Sequence, residues 1–258
     1  MFGAIAQGTT HVKGLLEGDD ILATADVMRG LGATITKEED QGETVWIVKG
    51  VGKAGFRASN TPLDCGNAGT GVRLIMGLTA AHPIDATFIG DESLTKRPMA
   101  RVLDPLAEMG VDYDCAEGKR LPVTIRGKKG ALKAIDYTPP HASAQVKSCI
   151  LLAGLGAEGE TIIREKVLTR DHTENMLEAF GVTVERQTVG RGQVVKMKGP
   201  ATLTATDVVV PGDPSSASFA IVAGLIVPGS DLVIENVMMN PTRTGLFETL
   251  VELSLIHI

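Results

Sequence analysis

Small polar residues and arginines stand at recurring places in this 258-residue chain, and the chemistry they suit is the binding of anions. Cys65-Gly66-Asn67-Ala68-Gly69-Thr70-Gly71, His141-Ala142-Ser143-Ala144-Gln145 and Gly212-Asp213-Pro214-Ser215-Ser216 each lead into an apolar run at helical spacing. A helix start offers unpaired N–H groups and the positive end of the helix dipole, a natural seat for phosphate or carboxylate. Capping alone is the competing account, since Asn, Ser and Asp are preferred N-cap residues. The glycines flanking Asn67 argue for more than capping, because they let the backbone approach a ligand closely. A second set is Lys96-Arg97-Pro98, Thr169-Arg170-Asp171 and Thr242-Arg243-Thr244, each placing a cation near the start of a further predicted helix. The dipole disfavours a cation there by roughly a few tenths of a kcal/mol. Repeating an unfavourable choice points to a phosphate or carboxylate held bidentately by the arginine. Pairing with Glu92, Asp171 or a neighbour is the alternative. His172 reads as structural, no His/Asp/Glu cluster has metal spacing, and Asn67-Ala68-Gly69-Thr70 lacks the Lys-Ser/Thr ending of a P-loop.

The elements that must position these residues form a repeat. Gly30-Leu31-Gly32-Ala33-Thr34-Ile35, Glu108-Met109-Gly110-Val111-Asp112-Tyr113 and Ala179-Phe180-Gly181-Val182-Thr183-Val184 share one pattern, with Gly32, Gly110 and Gly181 spaced 78 and 71 residues apart. Alternating runs ending at Gly50, Gly127 and Gly199 recur at 77 and 72, and runs beginning after Gly8, Pro83, Gly159 and Gly229 recur at 75, 76 and 70. A fixed period read from independent markers is the signature of a repeat architecture. In the second copy the pattern predicts a helix over Asn67–Ala81, a strand over Ala86–Ile89 and a second helix over Pro98–Met109. Strands at Val111–Tyr113 and Pro122–Arg126 follow, and a strand near the next junction completes the unit. Gly110 and its equivalents read as helix C-caps. The fold class is therefore α/β (α+β), built of βαβαββ units. The first copy keeps only the end of its first helix, Met1 to Gln7. The fourth has a helix over Pro214–Val227, a strand over Leu232–Glu235 and a helix over Pro241–Leu253. Ser254 replaces the expected glycine and Leu255-Ile256-His257-Ile258 does not resemble the following strand, so the last residues read as foreign to the repeat, with ordinary divergence as the alternative.

Composition sets the outer bounds. At 43% hydrophobic and 22% charged the chain has ample material for a packed core, which excludes intrinsic disorder. Thirty glycines against six Phe, one Trp and two Tyr indicate many tight turns in an aliphatic core. A net charge of −6 without a Lys/Arg block argues against nucleic acid as a partner. Cys65, Cys115 and Cys149 lie 50 and 34 residues apart and fit neither a disulfide framework nor a zinc spacing, so free thiols in a reducing, cytoplasmic setting are expected. The longest apolar stretch, Pro214 to Ser230, is too short and too interrupted to span a membrane, and the N-terminus lacks a signal peptide's basic region.

Five stretches together resemble the 5-enolpyruvylshikimate-3-phosphate synthases. They are Gly66-Asn67-Ala68-Gly69-Thr70-Gly71-Val72-Arg73, Lys96-Arg97-Pro98-Met99, Ser143-Ala144-Gln145-Val146-Lys147-Ser148, Thr169-Arg170-Asp171-His172-Thr173-Glu174 and Gly212-Asp213-Pro214-Ser215-Ser216-Ala217-Ser218. Ser-Ala-Gln places the likeness nearer one bacterial class. The resemblance runs from Met1 to about Leu250 and implies an inside-out α/β barrel fold of six repeats in two domains. Residues 1–207 would be the first, shikimate-3-phosphate-binding domain, lacking its N-terminal segment, and residues 208–258 an incomplete second. It implies transfer of the enolpyruvyl group of phosphoenolpyruvate to the 5-hydroxyl of shikimate 3-phosphate, with no metal or organic cofactor. Carried over residue by residue, Gly69 and Arg97 are expected to contact phosphoenolpyruvate, and Ser143, Ala144 and Arg170 to contact shikimate 3-phosphate. Gln145 is expected to touch both, and Asn67 and Thr70 to shape the loop. In this family an alanine at the position of Gly69 crowds glyphosate, so Gly69 implies sensitivity at that determinant. A monomer is expected.

The family's Lys-Ser-x-x-x-Arg stretch and its acid/base residues have no match here, so no catalytic residue is assigned and no turnover by this chain is expected. UDP-N-acetylglucosamine enolpyruvyl transferase is the nearest rival. It would carry a cysteine before the Arg-Pro pair, where this chain reads Glu92-Ser93-Leu94-Thr95-Lys96, and Cys115 does not correspond. A non-catalytic fragment that only binds shikimate 3-phosphate, or one without function, is the reading from another class.

Overall fold

The computed structural model describes residues 1–40, 42–127 and 130–253. Its plan follows from one sheet made three times. Thr9–Lys13 pairs antiparallel with Glu43–Lys49, which pairs with Thr34–Asp40. Ala86–Ile89, Arg120–Arg126 and Asp112–Ala116 repeat that order, and so do Ala157–Glu165, Gly192–Gly199 and Val184–Val189.

Each unit then hands a short strand to the next. Leu63–Asp64 joins Ala86–Ile89 in parallel, and Leu132–Lys133 with Asp136–Tyr137 joins Ala157–Glu165. Val208–Val209 joins Thr9–Lys13, so the third unit returns to the first and closes a ring. The backbone bonds Gln7 N to Leu203 O and Ala205 N to Gln7 O, 2.8 and 2.9 Å, reinforce that closure.

Helices divide into an inner and an outer set. Apart from Arg73, Gln145 and Lys147, Gly69–Ala80 and Ala144–Gly154 carry apolar or small residues around their circumference, and a helix of that kind is stable only when buried on all sides. Ten of twelve residues in the first and nine of eleven in the second are buried. The two pack so closely that a Cβ on Gly77 would stand 2.3 Å from the Cys149 carbonyl oxygen. Ala100–Glu108 buries only Val102, Leu103, Pro105 and Leu106, the single face expected of an outer helix. Helices inside and sheets outside make this an inside-out α/β barrel.

Both sets of marker glycines have a physical reason. Gly32, Gly110 and Gly181 take φ of +106°, +89° and +87°, where L side chains are strained. The residue after each closes the helix with a bond five residues back: Ala33 to Met28, Val111 to Leu106 and Val182 to Leu177, 3.1, 3.0 and 2.9 Å. Gly50, Gly127 and Gly199 are needed for close approach, since a Cβ there would lie 2.2, 2.0 and 2.2 Å from backbone atoms of Ala6, Ile84 and Gly154.

Three expectations need correction. The first helix of the second copy runs Gly69–Ala80, so Asn67 and Ala68 stand before it. Pro98 also precedes its helix, which starts at Ala100, and a four-residue helix Glu92–Thr95, capped by Asp91, was not foreseen. Leu232–Glu235 forms no strand. In the other units this strand is held by the second of the two strands that follow the second helix, and among the described residues Leu232–Glu235 has no such partner; only a bridge of Gly212 with Val237 forms nearby. The helices of this last copy run Pro214–Ile226 and Gly245–Glu252. The reading of Ser254 to Ile258 as foreign falls outside the described residues. Among the described residues no helix is long and apolar enough to cross a membrane.

Candidate anion-binding site

The predicted helix starts of the second and third copies meet. Ser143 caps the Ala144–Gly154 helix, its hydroxyl accepting from Val146 N at 3.4 Å. Gln145, in the first turn, donates from Nε2 to Thr70 Oγ1 at 2.8 Å. Arg73 sits one turn beyond Gly69 and is only 5% exposed. Its Nη1 donates to Gly69 O at 2.9 Å and to Gln145 Oε1 at 3.4 Å, and its Nη2 to Pro98 O at 3.3 Å. One guanidinium thus joins Gly69, Gln145 and the backbone beside Arg97. Its Nε is buried without a partner. Burial, and then the charges of Arg101 and Arg97, pull its pKa below the ordinary arginine value.

Asn67 does not cap its helix. Its Oδ1 accepts from Arg97 Nη2 at 2.5 Å while its Nδ2 donates to Asp91 Oδ2 at 2.8 Å. Arg97 Nη2 also reaches Ser93 Oγ at 3.2 Å. Arg97 is therefore held by neutral groups, and Lys96 takes Glu92 instead. A Cβ on Gly69 would stand 2.7 Å from Arg97 Nη1, so a side chain there must displace the arginine. At the fourth copy Asp213 does cap its helix, accepting from Ser216 N at 3.0 Å.

A cavity of about 730 Å³ opens beside the Ala144–Gly154 helix start, lined by Arg101, Ala142, Ser143, Ala144, Gln145, Leu168, Thr169, Arg170, Pro241, Thr242 and Arg243. Ser143, Ala144, Gln145 and Arg170 lie in its wall; Thr70 adjoins it through Gln145, Gly69 through Arg73 and Gln145, and Arg97 with Asn67 lies beyond Gly69 outside the wall. Among the described residues Arg97, Arg101 and Arg170 pair with no carboxylate, and Arg170 makes no side-chain hydrogen bond. Arg243 is partly committed, with Nη2 3.1 Å from Asp213 Oδ1 and 2.6 Å from Ser215 Oγ. Asp171 turns away to Asn240 at 2.6 Å and Arg186 at 3.4 Å. Burial would raise its carboxyl, but those hydrogen bonds and the Arg186 charge hold it below the usual range. Burial, with Arg170 and Arg243 nearby, lowers His172 and keeps it neutral near pH 7 despite Asp171. A cavity walled by uncommitted guanidinium groups, a hydroxyl and a helix N-terminus is built for an anion with phosphate or carboxylate geometry.

Arg73 and Arg101 were not singled out from the sequence. Arg101 lies in the first turn of the Ala100–Glu108 helix while Arg97 precedes that helix, so helical spacing does not link the two. Arg73 carried no local signal of its role, because the partners that tie it to the cavity, Gln145 and Pro98, come from distant segments. Among the described residues no group of three His, Cys, Asp or Glu is placed to hold a metal ion.

Residues 1–255 match the family model described as EPSP synthase (3-phosphoshikimate 1-carboxyvinyltransferase). A curated 3-phosphoshikimate 1-carboxyvinyltransferase of Rhizobium johnstonii is 52% identical over 254 residues, covering 98% of this chain and 55% of that protein. One of Gluconobacter oxydans is 53% identical over 254 residues, covering 98% and 56%. The solved EPSP synthase of Acinetobacter baumannii superposes with a TM-score of 0.88 at 47% identity, covering 98% of this chain and 56% of that one. The chain spans about half the length of the curated relatives it matches.

Proposed function

Because the chain belongs to the EPSP synthase family, we propose that it carries the shikimate-3-phosphate-binding half of an enolpyruvyl transferase. The reaction moves the enolpyruvyl group of phosphoenolpyruvate to the 5-hydroxyl of shikimate 3-phosphate and releases phosphate. Residues 1–207 form the first domain in this reading, and residues 208–258 begin the second. The single observation that carries it is the cavity in which an uncommitted Arg170 faces the Ser143-Ala144-Gln145 helix start.

Each residue's part follows from its chemistry. Arg170 offers a bidentate fork to the 3-phosphate, and Ser143 adds a hydroxyl donor at the positive end of the helix. Ala144 contributes a wall without bulk. Gln145, held between Thr70 and Arg73, touches both substrates. Arg97, oriented by Asn67, and the close backbone at Gly69 receive phosphoenolpyruvate. Two anions brought together in one cleft repel each other, and fixed guanidinium groups relieve that repulsion without reorganising. No acid or base is assigned within this chain. It acts as a cytoplasmic monomer, needs no cofactor, and by itself binds rather than turns over.

Calorimetric titration with shikimate 3-phosphate tests this. Saturable binding is expected, weakened by about tenfold to a hundredfold in Arg170→Ala, the loss of roughly 1.5–3 kcal/mol for a hydrogen bond to a charged group. UDP-N-acetylglucosamine should not bind. Absence of shikimate-3-phosphate binding by the folded chain overturns the reading. Steady phosphate release from both substrates, lost on changing Arg97, overturns the expectation of no turnover.

A further inference from the structure

Behind the cavity wall lies an ionic cluster that this binding scheme does not use. Lys147 is completely buried, one turn into the Ala144–Gly154 helix. Its Nζ lies 2.8 Å from Glu165 Oε2 and 2.7 Å from Glu174 Oε1, on two carboxylates that are themselves buried. Gln193 Nε2 donates to Glu165 Oε2 at 2.7 Å and to Glu174 Oε1 at 3.4 Å. The hydroxyl of Thr169 donates to the remaining oxygen of Glu165.

Removing such charges from water roughly cancels their mutual attraction, and well-packed apolar side chains serve stability as well. Glu174 Oε2 has no partner, so this cluster is not optimised for stability. Its geometry points elsewhere. Lys147 belongs to the helix whose first turn carries Ser143 and Gln145, and Thr169 immediately precedes Arg170. The path Lys147–Glu165–Thr169 therefore crosses from one wall of the cavity to the other. Arg170 has no hydrogen bond of its own among the described residues, so its placement rests on the segment that Thr169 anchors.

We infer that Lys147 and Glu165 are positioning residues, setting the distance between Arg170 and the Ser143–Gln145 helix start. The identity of the ligand rests on the reading above; the tether itself does not. Two measurements test it on the whole chain with Glu165→Gln, which keeps the shape and removes the charge. Without ligand, the Leu168 amide, bonded to Arg191 O at 3.0 Å, should exchange at least tenfold faster, while the Val72 amide in the other inner helix keeps its rate. With shikimate 3-phosphate as the probe, affinity should fall about tenfold, and that fall should vanish in an Arg170→Ala background. An unchanged Leu168 rate, or a fall that persists at full size without Arg170, overturns the inference. If wild type does not bind shikimate 3-phosphate, the functional reading fails and the exchange result alone decides the tether. If Glu165→Gln does not unfold cooperatively, Thr169→Val, which leaves the buried ions in place, is measured in the same two ways.

Discussion

Two helices of this molecule begin alike and end in opposite surroundings. Ala144–Gly154 is capped by Ser143 and Pro214–Ile226 by Asp213, each side chain accepting from the backbone N–H three residues on. Both then run through apolar and small residues. Yet nine of eleven residues of the first are buried, whereas Pro214 is the only buried residue of the second, and Phe219 is 80% exposed. Cap and composition form a helix; they do not bury it. Burial comes from the sister helix Gly69–Ala80 and from sheets that the neighbouring repeats supply. In the 208–253 stretch those neighbours are absent among the described residues, and Ile226, Val227, Val233 and Met239 are exposed with Phe219.

The largest effect expected from this contrast is at the contact between the inner helices. Gly77→Val drives a side chain into the Cys149 carbonyl, where backbone cannot yield. Loss of the cooperative urea transition is expected, beyond the 1–3 kcal/mol or so of ordinary overpacking. A transition within 1 kcal/mol or so of wild type would mean that the inner helices slide apart freely. Next in size is thiol reactivity. Burial pushes the Cys149 thiol up to about 12. A raised thiol pKa removes the thiolate, so at pH 8 only about one Cys149 in ten thousand is ionised, while an exposed cysteine is near its ordinary value of about 8.5. Alkylation of Phe219→Cys by iodoacetamide should outrun that of Cys149 by more than about a thousandfold, read by mass spectrometry of the folded chain. Comparable rates would erase the distinction. The smallest effect compares two truncations by urea denaturation. Leu151→Ala should destabilise by about 2–5 kcal/mol, and Phe219→Ala by no more than about 0.5 kcal/mol.

Much of the ring was legible because its signals are local. Gly110 marks a helix end by backbone conformation alone, and the strand Ala86–Ile89 lies where alternation placed it. Leu232–Glu235 shows the limit, since its β-branched, apolar run also reads as a strand but a strand exists only with a partner. The site divides in the same way. Ser143 and Arg170 could be read from helix starts and motifs. Asn67 was ambiguous between cap and ligand loop, and it does a third thing, orienting Arg97. Arg73 and the Lys147 cluster were invisible, because their telling partners lie 18–72 positions away in the sequence, and Arg101 reaches the cavity wall only through the fold.

The pairing of Val208–Val209 with Thr9–Lys13 also governs when this ring can come into being. Of the ring's strand pairings a nascent chain meets this one last, after nearly two hundred residues have separated the two strands. Topologies dominated by such distant pairings fold slowly, because the entropy of closing the loop is spent before the contact returns anything. Until then Thr9–Lys13 presents an unpaired edge, the kind of strand that recruits other chains. The first unit is thus translated early and completed late, and its vulnerable interval is set by the synthesis of the two units between.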